Sequence, residues 1–157
     1  MSNIFDIVTA RADYELGALV IIDQTQLPER EVYLALKTPE EIWEAIYLLK
    51  VRGAPAIGVA AAYGISVCMQ KVDEVDDFYR EFARVKNYLA SSRPTAVNLF
   101  TALERMEVAL LKCQGAGVEV LKQVLREEAE AIRKEDAAAC RKIGEHGLSL
   151  FKPGMGL

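Results

Sequence analysis

The sequence predicts an α+β domain, mainly α, in which a small antiparallel three-stranded sheet over residues 1–37 is followed by a helical bundle over residues 38–151. Three observations carry this expectation. The first 37 residues hold three short runs rich in Ile, Val and Leu, separated by turn residues. From residue 38 onward apolar residues recur at helical spacing. Between Arg52 and Lys71 no side chain is charged, in a chain whose charged fraction is 27%, so one helix belongs inside the others.

Ile4 to Ala10, Ala18 to Asp23 and Glu31 to Leu36 read as the strands. Asp13-Tyr14-Glu15-Leu16-Gly17 and Leu27-Pro28-Glu29-Arg30 read as the turns between them, which makes consecutive strands antiparallel neighbours. So small a sheet must lean on the helices that follow.

Thr38-Pro39-Glu40-Glu41 opens the first helix with a Thr N-cap, Pro at the first helical position and an acid three residues after the cap. Ile42, Ile46 and Leu49 share a face, and Trp43 beside them reads as core or interface packing. The second helix, with Ala54 as N-cap and Pro55 at the first helical position, is the uncharged one and runs to Met69. Gly58 and Gly64 inside it each cost about 1 kcal/mol relative to Ala, which implies that neighbouring helices approach closely there. Asp73 to Ala90 is amphipathic, with Val75, Phe78, Phe82, Val85 and Leu89 inward and Asp77, Arg80, Glu81, Arg84 and Lys86 outward. Ser91-Ser92-Arg93-Pro94-Thr95 then repeats the Arg-and-Pro entrance and opens a helix carrying Val97, Leu99, Leu103, Met106 and Leu110. Gly115-Ala116-Gly117 breaks the chain before a last long helix from about Val118 to Leu150. Leu121, Leu125, Ile132, Ala139, Ile143 and Leu150 fall in one narrow arc of it, together with Glu128 and His146. Those two lie roughly 27 Å apart along the axis, too far to act as a pair. His146 reads as a hydrogen-bonded interface residue, and Glu128, Asp136 and Glu145 as rim or cap residues.

The entrance to the uncharged helix is the chemical feature. A buried helix leaves orphan N–H groups and the positive end of its dipole at its mouth, and here Arg52 stands two residues upstream of Ala54, with Gly53 free to take a positive φ. That is the composition of an anion site. The alternative is a plain buried helix whose Arg52 pairs with a nearby carboxylate. Arg93 before the next entrance supplies a second guanidinium, so a dianionic phosphate held by Arg52, Arg93 and the N–H groups of Gly53 and Ala54 would have charge-assisted partners for its oxygens. Asn98 could reach the same place, though a cap or core hydrogen bond is the simpler role. The spacing of Gly53 and Gly58 fails as a nucleotide P-loop, since Val59 and Ala60 stand where Lys and Ser or Thr are required.

The totals bound the rest. A chain of 157 residues can bury roughly 70% of its unfolded surface, which suffices for one core. The apolar fraction of 52% and mean hydropathy of +0.10 suggest a surface that meets another domain or subunit. Lys plus Arg is 19 and Asp plus Glu is 23, a net charge of -4 without long single-sign runs, which argues against nucleic acid as a partner. Cys68, Cys113 and Cys140 are odd in number and unpaired in spacing, so neither a disulfide framework nor a metal site is indicated, and no cofactor is. Met1 to Asp6 lack a secretory pattern, and the uncharged stretch is at or below the length needed to span a membrane. The expectation is a cytoplasmic protein without a membrane partner.

Arg52-Gly53-Ala54-Pro55-Ala56-Ile57-Gly58, followed by Val59-Ala60-Ala61-Ala62-Tyr63-Gly64, resembles the signature of the methylthioribose-1-phosphate isomerases, sugar-phosphate isomerases of methionine salvage related to the regulatory subunits of the initiation-factor-2B exchange complex. Ile22 to Pro28, Ser91 to Leu99 and Ile143 to Gly147 extend the likeness over nearly the whole chain. The resemblance implies substrate binding by Arg52, Gly53, Ala54 and Arg93. It also implies a second, Rossmann-like domain after residue 152, carrying a catalytic Cys and Asp beyond Leu157. On that view residues 152–157 begin the second domain, this chain holds no catalytic residue and is inactive alone, and its partners are a small sugar phosphate, its own C-terminal domain and a second subunit in a homodimer. The implied reaction converts 5-methylthioribose 1-phosphate to 5-methylthioribulose 1-phosphate. Isomerases of ribose 1,5-bisphosphate or 5-deoxyribose 1-phosphate, or a non-catalytic regulatory subunit, are the alternatives.

Overall fold

A computed structural model describes residues 8–152, 154 and 155. Three strands, β1 (Ala10–Asp13), β2 (Ala18–Ile22) and β3 (Tyr33–Leu36), form an antiparallel meander in the order β1-β2-β3. Five helices follow: α1 (Pro39–Tyr47), α2 (Ala54–Met69), α3 (Val75–Ala90), α4 (Val97–Leu111) and α5 (Val118–Leu148).

The uncharged helix is the hub. Every residue of α2 from Ile57 to Met69 is buried, and it packs against β1, β2 and each of the other four helices. Its two interior glycines are where neighbours come closest. A Cβ on Gly58 would lie 2.7 Å from the Asn98 carbonyl oxygen of α4, and one on Gly64 would lie 3.0 Å from Ile42 Cγ2 of α1. β2 is buried along its whole length and presents Leu19 and Ile21 to the common core. Phe78, Phe82, Val85 and Leu89 of α3, Leu99, Leu103, Met106 and Leu110 of α4, and Leu121 and Leu125 of α5 complete that core. No helix among the described residues is long and apolar enough to cross a membrane.

Several boundaries differ from the sequence expectation: β2 ends at Ile22, β3 begins at Tyr33 and α5 ends at Leu148, and four further differences have identifiable causes or consequences. β1 occupies Ala10–Asp13 and so extends three residues past the expected end at Ala10; of the expected Ile4 to Ala10, residues 4–7 lie outside the described residues, and Val8 and Thr9 are not strand. The strand runs directly into its turn because Asp13 both pairs with Ala18 and accepts the Leu16 N–H at 3.0 Å on its own carboxylate. α2 is capped by Gly53, not Ala54, so Pro55 is the second helical residue. The Gly53 carbonyl accepts the Ile57 N–H at 3.0 Å while its φ of 95° turns the chain into the helix. α4 begins at Val97 with Ala96 as N-cap, and Pro94 sits in a turn closed by the Ala96 N–H on the Arg93 carbonyl at 3.0 Å. Pro94 therefore precedes the helix instead of opening it, and Val97 is 73% exposed. α3 starts at Val75, which lies at the surface.

The apolar arc of α5 is buried only in part. Leu121, Leu125 and Ile132 pack inward, whereas Ala139, Ile143 (71% exposed) and Leu150 (74% exposed) face outward, and His146 is exposed with them. From Ala138 to Leu148 every residue but Gly147 is exposed.

α2 and α5 are also stitched by a polar contact. The Tyr63 hydroxyl donates to Glu130, which accepts from Arg133 as well. The Arg133 guanidinium, aided by the Tyr63 hydroxyl and opposed by burial, holds the Glu130 carboxyl down at about 2. A depressed carboxylate contributes stability that is present above its unfolded value of 4.5 and lost as pH falls through the folded one. Glu130→Gln is thus expected to flatten the fall in urea midpoint between pH 4.5 and 2 relative to the wild type, and identical acid limbs would refute the linkage.

Candidate functional site

Three segments converge at the start of α2. α1 ends in a helix-terminating turn in which the Leu49 and Lys50 N–H groups return to the Ile46 and Ala45 carbonyls at 3.2 and 2.9 Å. Leu49 occupies the position usually given to glycine, with φ of 59°, a strained conformation for a branched side chain. Three residues later comes Arg52, whose Nε folds back to donate to the Leu49 carbonyl at 3.3 Å. The turn after β2 braces the same segment: the Gln24 N–H donates to the Lys50 carbonyl at 2.9 Å, and its side-chain amide reaches the Arg52 carbonyl at 3.5 Å. Asp23, buried at the head of that turn, accepts from the Thr25 N–H and hydroxyl at 3.0 and 2.6 Å and fixes its shape.

The helix entrance that follows is chemically open. No side chain caps α2 or α4, and the same holds for α3 and α5; α1 differs, with Thr38 and Glu41 forming a reciprocal capping box. Arg52, Gly53, Ala54 and Pro55 are all exposed. Among the described residues neither Arg52 nor Arg93 has a carboxylate within ion-pair distance, while most other arginines do. The alternative in which Arg52 is neutralised by a neighbour is therefore not what the fold contains.

The second entrance lies beside the first. The contact of Gly58 with the Asn98 carbonyl sets the first turn of α4 against the second turn of α2, and Arg93 stands at the head of the turn that leads into α4. A cavity of about 220 Å3 opens at this junction, lined by Pro55 and Gly58 of α2, Asn98 and Arg105 of α4, and Ile132 and Asp136 of α5, among others; neither Arg52 nor Arg93 lines it. The Asn98 side chain makes no hydrogen bond with the described residues and borders this cavity, so the cap or core bond expected for it is absent.

A larger cleft of about 750 Å3 lies elsewhere, between β1, α2 and α5. Its cations are already engaged: Arg11 with Asp13, Arg133 with Glu130, and Arg126 with Gln70 and the face of Tyr14 at 4.7 Å. Size alone therefore does not make it the better candidate. Glu128 is also accounted for, pairing with Arg105 across α4 and α5 at 2.7 Å. Burial pushes the Cys68 thiol up to about 12, which makes it a poor nucleophile. Cys140 is exposed on the outward part of α5, away from both entrances.

Residues 50–156 match the model of the initiation factor 2 subunit family. The chain belongs to that family. Within it, the chain is 56% identical over 149 residues to a methylthioribose-1-phosphate isomerase of Parabacteroides distasonis, covering 94% of this chain and 44% of the relative. It is 55% identical over 141 residues to a 5-deoxyribose 1-phosphate isomerase of Petrotoga mobilis, covering 88% and 41%. Two solved structures of the family share its fold. One, described as translation initiation factor eIF-2B, subunit delta, from A. fulgidus, superposes with a TM-score of 0.85 at 39% identity, over 95% of this chain and 43% of the other. The second, a 5-methylthioribose 1-phosphate isomerase from Pyrococcus horikoshii, gives 0.76 at 32% identity over 81% and 36%. The chain thus spans less than half the length of the family members it matches.

The sequence offers Arg52 and Arg93 as candidates, but nothing in it points to the contact of Gln24 or to the cavity at Asn98. Gln24 acts through a contact with a segment 28 residues away, and no local pattern announces such a contact.

Proposed function

We propose that this chain is the substrate-phosphate-contacting part of an aldose–ketose isomerase that converts 5-methylthioribose 1-phosphate to 5-methylthioribulose 1-phosphate. The observation that carries this reading is the pair of adjacent, uncapped helix entrances, each preceded by an arginine without a carboxylate partner among the described residues. A phosphate dianion bound there would accept from Arg52, Arg93 and the N–H groups of Gly53 and Ala54, satisfying groups that the fold leaves open. The chemistry requires such a clamp. A phosphate on the anomeric oxygen blocks simple ring opening, so the sugar must be held in one orientation and the charge that develops on it screened. Arg52 and Arg93 do the holding and screening. The transfer step falls to the Cys and Asp that the family resemblance places beyond Leu157, in a second domain that begins around residue 152. The exposed end of α5, with Ile143 and Leu148, and Leu150 just after it, is the surface on which such a domain would rest. A cytoplasmic homodimer acting in methionine salvage, without a cofactor, completes the proposal.

A second reading, isomerisation of 5-deoxyribose 1-phosphate, is favoured by the 55% identity to the Petrotoga protein so named. The two substrates differ only in the group on carbon 5. Incubating the full-length protein separately with each and following ketose formation by NMR tests both. Turnover of the methylthio sugar at least about tenfold above the deoxy sugar, the worth of a small apolar group in a pocket, supports the first reading, and the reverse preference the second. No turnover of either, together with no phosphate binding, would identify a regulatory subunit instead.

A further inference from the structure

We propose that Trp43 is a positioning residue for the anion site, which through Ser91 holds the Arg93-bearing turn in place relative to Arg52. This deepens the phosphate reading and rests on it. The indole N–H of Trp43, on α1, donates to Ser91 Oγ at 2.9 Å, and that hydroxyl spends its own hydrogen on the Tyr88 carbonyl at 2.6 Å. Donor and acceptor roles are therefore matched without competition. Ser91 is the C-cap of α3, two residues before Arg93, and Ser92 next to it donates to the Leu89 carbonyl at 2.6 Å. The α3–α4 connection is thus pinned on the side facing α3, while the half-buried Arg93 side chain makes no hydrogen bond or ion pair with the described residues.

The ring of Trp43 is itself clamped. It stacks on Tyr47 with centroids 4.7 Å apart and on Tyr88 with centroids 6.0 Å apart, at interplanar angles of 17° and 26°. Ile42 and Ile46 of the same helix are buried in the core, so α1 is a rigid mount. From its end the strained Leu49 turn leads to Arg52, whose Nε is fastened to the Leu49 carbonyl. One nine-residue helix therefore governs both arginine segments, one by covalent continuity and the other by a single indole hydrogen bond. If the task of Trp43 were only to cover apolar surface, a phenylalanine would serve equally well.

The test uses the full-length protein, with inorganic phosphate as the calorimetric probe and the sugar phosphate as substrate. W43F keeps a stacking ring and loses the donor, whereas S91A keeps the indole and loses its acceptor. Each is expected to weaken phosphate binding about three- to tenfold and to raise KM similarly while kcat changes less than about twofold, the scale of one net hydrogen bond. The double variant should be no weaker than either single one, because both remove the same bond, and S91T, which keeps the hydroxyl, should restore binding. Circular dichroism melts of W43F confirm that the fold is intact. Unchanged phosphate affinity in W43F and S91A, alongside a clear loss in R93A, would overturn the positioning role and leave the phosphate site standing. Unchanged affinity in R93A and R52A as well would overturn the site and this proposal together.

Discussion

Arg93→Ala in the full-length protein is expected to lower kcat/KM for the sugar phosphate roughly 10- to 100-fold, and Arg52→Ala by a similar factor, since each removes a charge-assisted hydrogen bond to the phosphate. The reason for so large an effect is that nothing nearby can substitute. Neither guanidinium is shared with a protein carboxylate among the described residues, so neither is held back by a competing ion pair, and the helix mouths beside them carry no side-chain cap. Because the phosphate is bound in ground and transition states alike, most of the loss should appear in KM. Arg52→Lys should fall between wild type and alanine: it keeps the charge but loses the planar fork that reaches two oxygens at once. Steady-state kinetics on the three variants check this. Wild-type KM and kcat in Arg93→Ala would remove Arg93 from the site, whatever its position beside the entrance.

Gly58→Ala is expected to destabilise the protein by about 1–3 kcal/mol even though alanine is the better helix former by about 1 kcal/mol. The added methyl would sit 2.7 Å from the Asn98 carbonyl oxygen and 3.3 Å from its carbon, atoms of the backbone that no rotamer change can move aside. α4 must shift away from α2, and with it the Ala96 cap and the turn that bears Arg93. Phosphate affinity should therefore fall together with stability. Gly64→Ala is the internal control. Its methyl would meet Ile42 Cγ2 at 3.0 Å and Cδ1 at 3.1 Å, side-chain contacts less tight than the backbone clash at Gly58, so the stability loss should be smaller. Urea unfolding and phosphate calorimetry on the two variants discriminate the cases, and equal stability losses would sink the claim that Gly58 sets the spacing of the entrances.

Much of this arrangement was legible residue by residue. The uncharged run of α2 announced a central helix because burying a charge without a partner is expensive, so its absence over sixteen helical residues has one economical explanation. Thr38, Pro39 and Glu41 announced α1 through local hydrogen bonds that form without tertiary help, and all of them are present. The errors fell where local and non-local effects compete. Pro94 suits a helix start and a turn equally, and the hydrogen bond from Ala96 to Arg93 selected the turn. The first strand is expected to end at Ala10, yet the register with β2 carries it on to Asp13. The outer half of the α5 arc has the period of a buried face but is exposed.

By itself the sequence determined the class of fold and the identity of the central helix, and it placed an arginine before each of two helix entrances, because burial period, capping chemistry and charge are properties of neighbouring residues in the chain. Only the tertiary structure decided that the two entrances stand side by side, that Gly53 instead of Ala54 caps the first, and that Gln24 and Trp43 hold the segments carrying the arginines. Those facts depend on contacts between residues tens of positions apart. Such contacts are selected by the packing of whole helices and leave no repeat or spacing in the chain from which to read them.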